Sequence, residues 1–506
     1  MSKGSLITFV LVAAVLGFSF FFERSENLIV RSRHEQHKEY ASVSDLGEDP
    51  FKDASLSSHL PILVIETGGQ KIPGAPIANA LGHLDHYVLS DDGSDQIKVK
   101  VSEISKKDSW HHDSDEADKS YDALFRIRGN SSRWFSKKSY RIRLVDETLQ
   151  DIDAPFLDMK QGNQWALYGP FLDKTLIRNY MWMNIASRIM PGYTPEVRFC
   201  EVMIDGKYQG VYVLMEMIET GDGRVDLSEY EPGDLAMSYM VRIEPRVNPE
   251  KQVENFSFYT YRMETGRNVE IIYPPLKYQD ERVKRYVETD LSEVERKIFG
   301  AETADGSHAW KDEIDLDSFI NYYISEEFLG INDTFSASTY FYRDVRGKLC
   351  IGPVWDFNNA LDNFFQPVPD DDFILAQRGW FAQMMKDKDF VERVIRRYKQ
   401  LREGILSDEN LLTYIKETED YLGPAIERNF EVWGYSFDPD KVTSRERRSF
   451  MEGSLDGIHT LNPEDYAEAN EMMIDYLIDH SHWLDENIDS LRQYCHPSKF
   501  SGQIIE

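Results

Sequence analysis

The spacing of apolar residues changes near Tyr278, and this change constrains the fold more than any other feature of the sequence. Before it, from Leu60 onward, short runs of alternating apolar and polar residues are separated by turn residues, a pattern that predicts β-strands. After it, apolar residues recur at helical spacing. Strands followed by helices predict an α+β protein with a β-rich N-terminal part and a helical C-terminal part.

The strongest short-range signal in the first part is a hairpin. Asp205-Gly206 stands between two apolar runs, and an Asp-Gly pair in that position is typical of a tight β-hairpin. We expect one continuous sheet, with strands at residues 62–66, 86–89, 97–101, 123–128, 140–144, 197–204, 208–216, 239–244 and 269–273. The predicted helices are 173–190, 279–299, 315–329, about 376–386, 388–404, 407–433, part of 447–459, and 463–488. Asp173 or Thr175 is the expected N-cap of the first helix.

The N-terminus contains a candidate membrane anchor. Residues 6–22 carry no charge and are mostly apolar, which is just long enough to span a bilayer. The run ends in three phenylalanines rather than in a small-residue cleavage site, which favours an uncleaved anchor. Basic residues after the run favour a cytoplasmic body, whereas the short basic leader before it is typical of export; we expect an extracytoplasmic body. Residues 23–58 are polar and predict a tether.

Composition narrows the classes of partner. The formal net charge of −31 excludes binding to nucleic acid backbones and favours basic partners, such as a lysine- and arginine-rich substrate segment. A hydrophobic content of 41% over 506 residues is enough for a large core. The three cysteines are too few and too widely spaced to predict a disulfide framework or a zinc cluster.

Two acidic residues, Asp333 and Asp356, flank a predicted hairpin made of a strand-like run at 338–342 and a turn at 344–348. A hairpin of that length brings both carboxylates to the same end of a sheet. Phosphoryl transfer needs such a pair, because one carboxylate accepts the proton of the attacking hydroxyl and another holds the metal on the phosphates. Turn formation and strand capping by aspartate explain the same residues without any activity.

A basic strand supplies candidate phosphate contacts. In residues 137–144, alternation places Lys138 on the same face as Tyr140 and Ile142, which predicts an inward-pointing lysine. A buried lysine requires an anion, and a phosphate would supply it; snorkelling at the strand end is the alternative. The preceding turn, residues 128–132, is rich in residues that tolerate left-handed backbone, and its N–H groups could hold phosphate oxygens.

Several motifs resemble, in the same order, those of the CotH kinase family, the spore coat protein H group. They lie at residues 60–67, 128–144, 173–179, 210–216, 353–357 and 428–429. The resemblance covers residues 60 to 490. It implies a two-lobed, atypical protein-kinase-like fold, and an enzyme that phosphorylates serine residues of proteins with ATP and Mg²⁺.

The resemblance also implies roles for individual residues. Asp333 would be the general base and Asp356 the metal ligand that bridges the ATP phosphates. The family commonly has an asparagine a few residues after the catalytic aspartate, and this sequence has Ser338 there, with Asn358 and Asn359 as other sources of a ligand oxygen. The residues implied in nucleotide binding are Lys138, Arg128, Asn130, Ser131 and Glu216, the last at the adenine-side hinge.

Three functions follow from these observations. The first is a membrane-anchored serine kinase that acts on an envelope or coat-like protein. The second is a weakly active or inactive surface module of the same fold, which the serine at position 338 favours. The third is a glycosidase that uses the two carboxylates. The expected division of the chain is a leader (1–5), the anchor (6–22), the tether (23–58), a β-rich N-lobe with the nucleotide-binding signature (59–277), the catalytic hairpin and helical C-lobe (278–495), and a tail (496–506).

Overall fold

The computed structural model describes residues 33–49, 55–245, 247–253, 268–300, 309–363, 367–454, 457–460 and 462–495. Within these ranges, strands dominate up to residue 273 and helices dominate after it. The α+β class predicted from the sequence is therefore confirmed. The strands are β1 (Ser57–Ser58), β2 (Ile62–Glu66), β3 (Pro76–Ala78), β4 (Leu84–Tyr87), β5 (Ile97–Ile104), β6 (His111–His112), β7 (Lys119–Arg128), β8 (Ser139–Leu144), β9 (Gln164–Tyr168), β10 (Val197–Ile204), β11 (Lys207–Glu216), β12 (Tyr239–Glu244), β13 (Gln252–Val253), β14 (Asn268–Tyr273), β15 (Thr339–Arg343), β16 (Leu349–Ile351), β17 (Met451–Ser454) and β18 (Gly457–Thr460).

Seven strands close into a barrel in the order β10-β11-β9-β8-β7-β5-β2. The parallel pairing of β2 with β10 completes the ring, and the neighbouring pairs are antiparallel. Alternate residues point inward and fill the interior, among them Phe125, Ile142, Trp165 and Leu214. The predicted hairpin at Asp205-Gly206 is confirmed as the link between β10 and β11.

A second sheet has the order β13-β14-β12-β15-β16. The sequence interpretation that strands 239–244 and 269–273 continue the first sheet is wrong, because β12 pairs with β15 rather than with a barrel strand. Arg242 lies opposite Tyr340, and Ile243 lies opposite Thr339. This pairing joins segments about a hundred residues apart, and it brings the end of β12 to the start of the predicted catalytic hairpin.

Helices cover the second sheet and one outer side of the barrel. Their shared core includes Met181, Met215, Val241, Tyr323 and Phe381. The helices are α1 (Gln36–Glu39), α2 (Val43–Leu46), α3 (Arg178–Ile189), α4 (Glu281–Ile298), α5 (Leu316–Phe328), α6 (Phe381–Met384), α7 (Lys388–Arg402), α8 (Asp408–Leu422), α9 (Pro424–Trp433), α10 (Ser444–Phe450) and α11 (Tyr466–Asn487).

Two helix predictions are corrected by local chemistry. The helix expected over residues 407–433 is divided into α8 and α9, because Gly423 takes a positive φ and Pro424 begins the second helix. A proline has no N–H to continue the first helix. The helix expected from Asp173 begins only at Arg178, although the Asp173 carboxylate accepts the Arg178 backbone N–H at 3.1 Å.

Residues 33–49 and 55–58 of the expected tether are among the described residues. Gln36 is buried, and its amide makes two hydrogen bonds with the backbone of Phe199, accepting from N–H at 2.6 Å and donating to C=O at 3.1 Å. The described residues from Glu35 onward thus belong to one compact unit. None of the helices that the structure describes is both long and apolar enough to cross a membrane. The anchor expected at residues 6–22 lies outside the described residues.

Candidate active site

The loop that carries Asp333 follows α5 directly. Gly330 ends the helix with a φ of +64°, and a side chain at that position would collide with Tyr476. The Asp333 carbonyl then accepts hydrogen bonds from the N–H groups of Ser336 at 2.7 Å and Ala337 at 2.9 Å. Phe335 packs among aromatic rings that include Trp380. A turn and an aromatic anchor therefore fix the loop.

Asp356 follows β16 and has a left-handed backbone, with a φ of +58°. Aspartate is one of the few residues that adopt this conformation readily. Val354 before it and Phe357 after it are completely buried, so the chain on both sides is held in the core. The peptide N–H of Asn359 donates to the Asp356 carbonyl at 3.4 Å and begins a short 3-10 turn.

Ser338 connects Asp356 to a third carboxylate. Its hydroxyl donates to Asp356 Oδ2 at 2.6 Å and lies 3.3 Å from Glu244 Oε1. Glu244 is the last residue of β12, and the pairing of β12 with β15 brings it there. Ser338 therefore stands between two carboxylates at the position where the family pattern led us to expect an asparagine.

Two asparagines lie on the other side of the site. Asn359 Nδ2 donates to Asp333 Oδ2 at 3.4 Å, and Asn358 Nδ2 donates to Asn359 Oδ1 at 2.7 Å. Because Asn359 also contacts the Asp356 backbone, it links the two aspartates. The structure thus brings together four residues predicted from the sequence: Asp333, Asp356, Ser338 and Asn358.

We call Asp333, Asp356, Glu244 and Glu326 the acidic cluster, because burial raises the pKa of each carboxyl and the charge of a neighbouring member raises it further in Asp333, Glu244 and Glu326. Burial and the charge of Asp356 raise the pKa of Asp333 to about 7. Burial raises the pKa of Glu244 to about 7 against the opposing charge of Arg242. Burial raises the pKa of Asp356 as well, while its hydrogen bond from Ser338 and the charge of Arg128 oppose the rise.

Glu326 is the most deeply buried member of the cluster. It lies in the last turns of α5 and is only 2% exposed. Thr334 donates to its Oε2 atom at 3.3 Å, whereas its Oε1 atom has no hydrogen-bond partner among the described residues. Burial and the charge of Asp333 raise its pKa well above the ordinary range. A polar atom buried in this way is a candidate contact for a ligand group.

Basic and amide groups border the cluster on the barrel side. The guanidinium of Arg128, the last residue of β7, lies 5.6 Å from the centre of the Trp355 ring, next to Asp356. Asn130 Nδ2 donates to Glu244 Oε2 at 3.4 Å. Both residues were predicted to bind nucleotide, and the structure places both beside the acidic cluster.

The other residues predicted to bind nucleotide, Ser131, Glu216 and Lys138, have different surroundings. Ser131 is exposed at the start of a short 3-10 turn, residues 131–134. Glu216 forms an ion pair with Arg224 at 2.6 Å and accepts hydrogen bonds from Tyr193 Oη and the Glu196 N–H. None of these partners belongs to the acidic cluster.

The prediction that Lys138 points inward is wrong. Lys138 is half-buried, and its amine donates to the Arg133 carbonyl at 2.8 Å. Lys137 is the buried lysine instead, and its amine donates to the Val211 carbonyl and to Asn429 Oδ1, each at 2.7 Å. The alternation fails because β8 begins only at Ser139, so neither lysine belongs to the strand.

Sequence reasoning missed Glu244, Glu326 and Arg242. A glutamate at the end of a predicted strand was visible at position 244, but its partner strand was not. Arg242 binds Glu270 at 2.6 Å and lies 3.6 Å from Glu244, so its positive charge acts on two carboxylates. Glu326 stood in the helix that precedes Asp333, where a buried carboxylate has no distinctive sequence signal.

The donors that converge here are all oxygen atoms or amides, a set that suits a hard divalent cation such as Mg²⁺. In the part of the chain that the structure describes, no three carboxylate, histidine or cysteine side chains stand in a ready metal-binding group. A metal here would therefore rest on one or two carboxylates, with hydroxyl, amide, water and phosphate oxygens completing its shell, as Mg²⁺ commonly does beside phosphates.

The chain matches a known protein family. The family described as CotH kinase protein matches residues 125–484, which is most of the chain. The matched range begins in β7 and ends in α11, so it includes the acidic cluster and Arg128. No curated protein matches the chain.

Proposed function

The chain belongs to the CotH kinase protein family, and from this premise we propose that it is a protein kinase that transfers the γ-phosphoryl group of ATP to a serine hydroxyl. One observation carries the proposal. Asp333 and Asp356, on two loops fixed by different elements, share one buried cluster with an arginine beside it. A proton acceptor and a metal-binding carboxylate side by side are what phosphoryl transfer requires.

Asp333 is the proton acceptor in this proposal. A pKa near 7 is suited to accepting a proton at neutral pH, because much of the Asp333 carboxyl is then ionised and the ionised form is basic enough to take the proton of the hydroxyl. Asn359 donates to one carboxylate oxygen and leaves the other available for the serine hydroxyl. The serine oxygen forms a bond to the γ-phosphorus, the bond from that phosphorus to the bridging oxygen breaks, and ADP departs with that oxygen.

Asp356 and Glu244 are the carboxylates that would hold the metal, with Ser338 between them. When bound, Mg²⁺ would supply charge neutralisation for the phosphate oxygens. Glu244 offers the oxygen that the missing asparagine would have given, which supports activity despite the serine at position 338. Arg128 would contact phosphate oxygens, since its guanidinium lies over the Trp355 ring and its charge acts on Asp356.

The substrate and its location belong to the same proposal. The net charge of −31 supports a basic, serine-containing protein as the substrate. The apolar run at residues 6–22 supports a single-pass membrane anchor, with the folded body outside the cytoplasm and an envelope or coat-like protein as target. The second candidate, a weakly active surface module, is favoured by the hydrogen bond that engages Ser338 with Asp356.

The test is phosphate transfer by the full chain. Purified protein is incubated with Mg-ATP and a lysine-rich protein that contains serine, and phosphoserine is located by mass spectrometry on both proteins. We expect transfer by the wild type, a loss of about 10²- to 10⁴-fold in Asp333→Asn, and normal transfer by Asp371→Asn. Asp371 is exposed and lies outside the cluster, so this variant controls for the change of charge. No transfer by the wild type would contradict the kinase proposal, and equal transfer by all three proteins would contradict the role of Asp333.

A further inference from the structure

Two arginines stand directly opposite each other on the outer face of the barrel. Arg126 of β7 is the register partner of Arg141 of β8. Their neighbours Phe125, Ile127 and Ile142 fill the barrel interior, so the arginines point to the outside. Like charges directly opposite in an antiparallel pair repel and destabilise the sheet. A negatively charged group that contacts both arginines would offset this repulsion.

The described part of the protein neutralises this pair only weakly. Arg126 binds Asp95 at 3.0 Å, but the Asp95 carboxylate is 64% exposed, and such surface pairs contribute little. The Nε atoms of Arg126 and Arg141 are buried and have no hydrogen-bond partner among the described residues. The carboxylate that acts on Arg141 is Glu219, and burial raises its pKa to about 7, so its charge is incomplete at neutral pH.

The pair continues a row that begins at the acidic cluster. Arg128 lies two residues after Arg126 on the same face of β7, about 7 Å further along the strand. Its charge acts on Asp356, and its guanidinium lies over the Trp355 ring. The row thus leads from the proposed metal ligand along the outer face of the barrel to Arg126 and Arg141. We call these three arginines the arginine platform.

We propose that the arginine platform binds a chain of phosphates, with Arg126 and Arg141 holding the phosphates that are not transferred while Arg128 contacts the one nearest Asp356. Guanidinium groups are suited to this ligand, because their planar forks bind phosphate oxygens in pairs. The identification of the ligand as a nucleoside triphosphate rests on the proposed kinase function. The binding of a polyphosphate by the platform does not rest on it.

The experiment measures binding of inorganic tripolyphosphate without divalent metal, and of Mg-ATP, to the full chain by calorimetry. We expect Arg126→Gln and Arg141→Gln each to weaken tripolyphosphate binding by about 10- to 100-fold, the loss typical of a charged hydrogen bond. The matched control is Arg143→Gln. Arg143 lies on the same strand and face, and its Nε also lacks an aligned hydrogen bond although it is 2.7 Å from the half-exposed Asp151 carboxylate. It stands opposite Leu124, about 7 Å further along the strand from Arg128 than Arg141 does, so we expect a change of less than about twofold.

A second readout separates binding from a merely structural role. Without ligand, Arg141→Gln should melt at the same temperature as the wild type or higher, because the repulsion from Arg126 is removed. A lower melting temperature with unchanged tripolyphosphate affinity would assign Arg141 a structural role and overturn the platform.

The two probes also separate this inference from the kinase proposal. Tripolyphosphate binding that is lost in both variants supports the platform, even if the wild type fails to bind Mg-ATP and the kinase proposal falls. Mg-ATP binding by the wild type with no effect of either arginine variant overturns the platform and leaves the kinase proposal intact. Failure of the wild type to bind either probe overturns both.

Discussion

Asp333 has an unfavourable position unless it carries a proton or faces a cation. Its carboxyl is buried beside Asp356, and these two causes raise its pKa to about 7. The neighbours that oppose the rise are the amide of Asn359 and the more distant Arg378. A carboxylate held in this way is stabilised by whatever brings positive charge to it, whether a metal or the proton of a substrate hydroxyl.

This arrangement predicts a pH-dependent stability. Because the folded pKa of Asp333 exceeds its ordinary value of 3.8, the protonated form is the stable one, and stability decreases as the pH rises from about 4 through about 7. Asp333→Asn removes that loss. We therefore expect the variant to exceed the metal-free wild type in stability by about 1 kcal/mol or more at pH 8, and to match it near pH 4.

Thermal unfolding of the two proteins between pH 4 and pH 8 checks this expectation. Asp371→Asn serves as the control, because an exposed carboxylate should give no such trend. A difference between Asp333→Asn and the wild type that stays constant over the whole range would contradict the account of Asp333.

Ser338 gives a second prediction at the scale of a residue. Its backbone is left-handed, with a φ of +46°, and asparagine is among the residues that tolerate this conformation best. Ser338→Asn should therefore fold normally, with a change in stability below about 1 kcal/mol, and its amide oxygen should strengthen Mg²⁺ binding. Titration of the full chain with Mg²⁺ in the presence of ATP measures the effect. Weaker Mg²⁺ binding in Ser338→Asn would show that the serine is the better ligand here.

At the scale of elements, helix α9 fastens the C-terminal part to the barrel. Arg428 binds the completely buried Glu201 of β10 through two hydrogen bonds, at 2.7 Å and 3.0 Å. The next residue, Asn429, accepts from the buried amine of Lys137 and from the Val211 N–H. Gly210 leaves room for this contact, because a side chain there would overlap Asn429.

Loss of one partner should therefore be costly. Arg428→Ala leaves Glu201 buried without its cation, and we expect a loss of about 3–5 kcal/mol in the free energy of unfolding. Lys416→Ala is the control, since Lys416 pairs with Asp420 on the exposed side of α8, and such pairs contribute about 0.5 kcal/mol or less. Urea denaturation measures both. A loss below about 1 kcal/mol for Arg428→Ala would show that α9 is held in another way.

Local patterns predicted the elements well, whereas long-range pairing could not be read from them. Periodicity found α7 and α11 nearly to their ends, and turn chemistry found the hairpin at Asp205-Gly206. The partner of β12 was misassigned, because alternation within a strand says nothing about which distant strand it meets. For the same reason, Glu244 was missed, because only the pairing of β12 with β15 brings it to the site. Asp333 and Asp356 were recognised because they flank one local hairpin. The inward direction of Lys138 was misjudged because the alternation was extended beyond the true start of β8.

At the scale of the whole molecule, a strongly acidic chain carries a local group of arginines beside its acidic cluster. The chain has 88 acidic and 57 basic residues, yet three arginines gather on one face of the barrel beside the acidic cluster. Such a local reversal of charge within an acidic protein is suited to hold an anionic ligand next to a cation. The barrel supplies the three arginines, whereas the carboxylates come from β12, from α5 and the loop after it, and from the loop after β16.

The most direct test of this account is the effect of Mg-ATP on the melting temperature of the full chain, measured beside Asp356→Ala and the control Asp371→Asn. A ligand at about 100 times its Kd stabilises the folded state by about 3 kcal/mol. The account predicts that Mg-ATP raises the melting temperature of the wild type and of Asp371→Asn, and that Asp356→Ala loses the effect. No rise in the wild type, or an equal rise in Asp356→Ala, would contradict it.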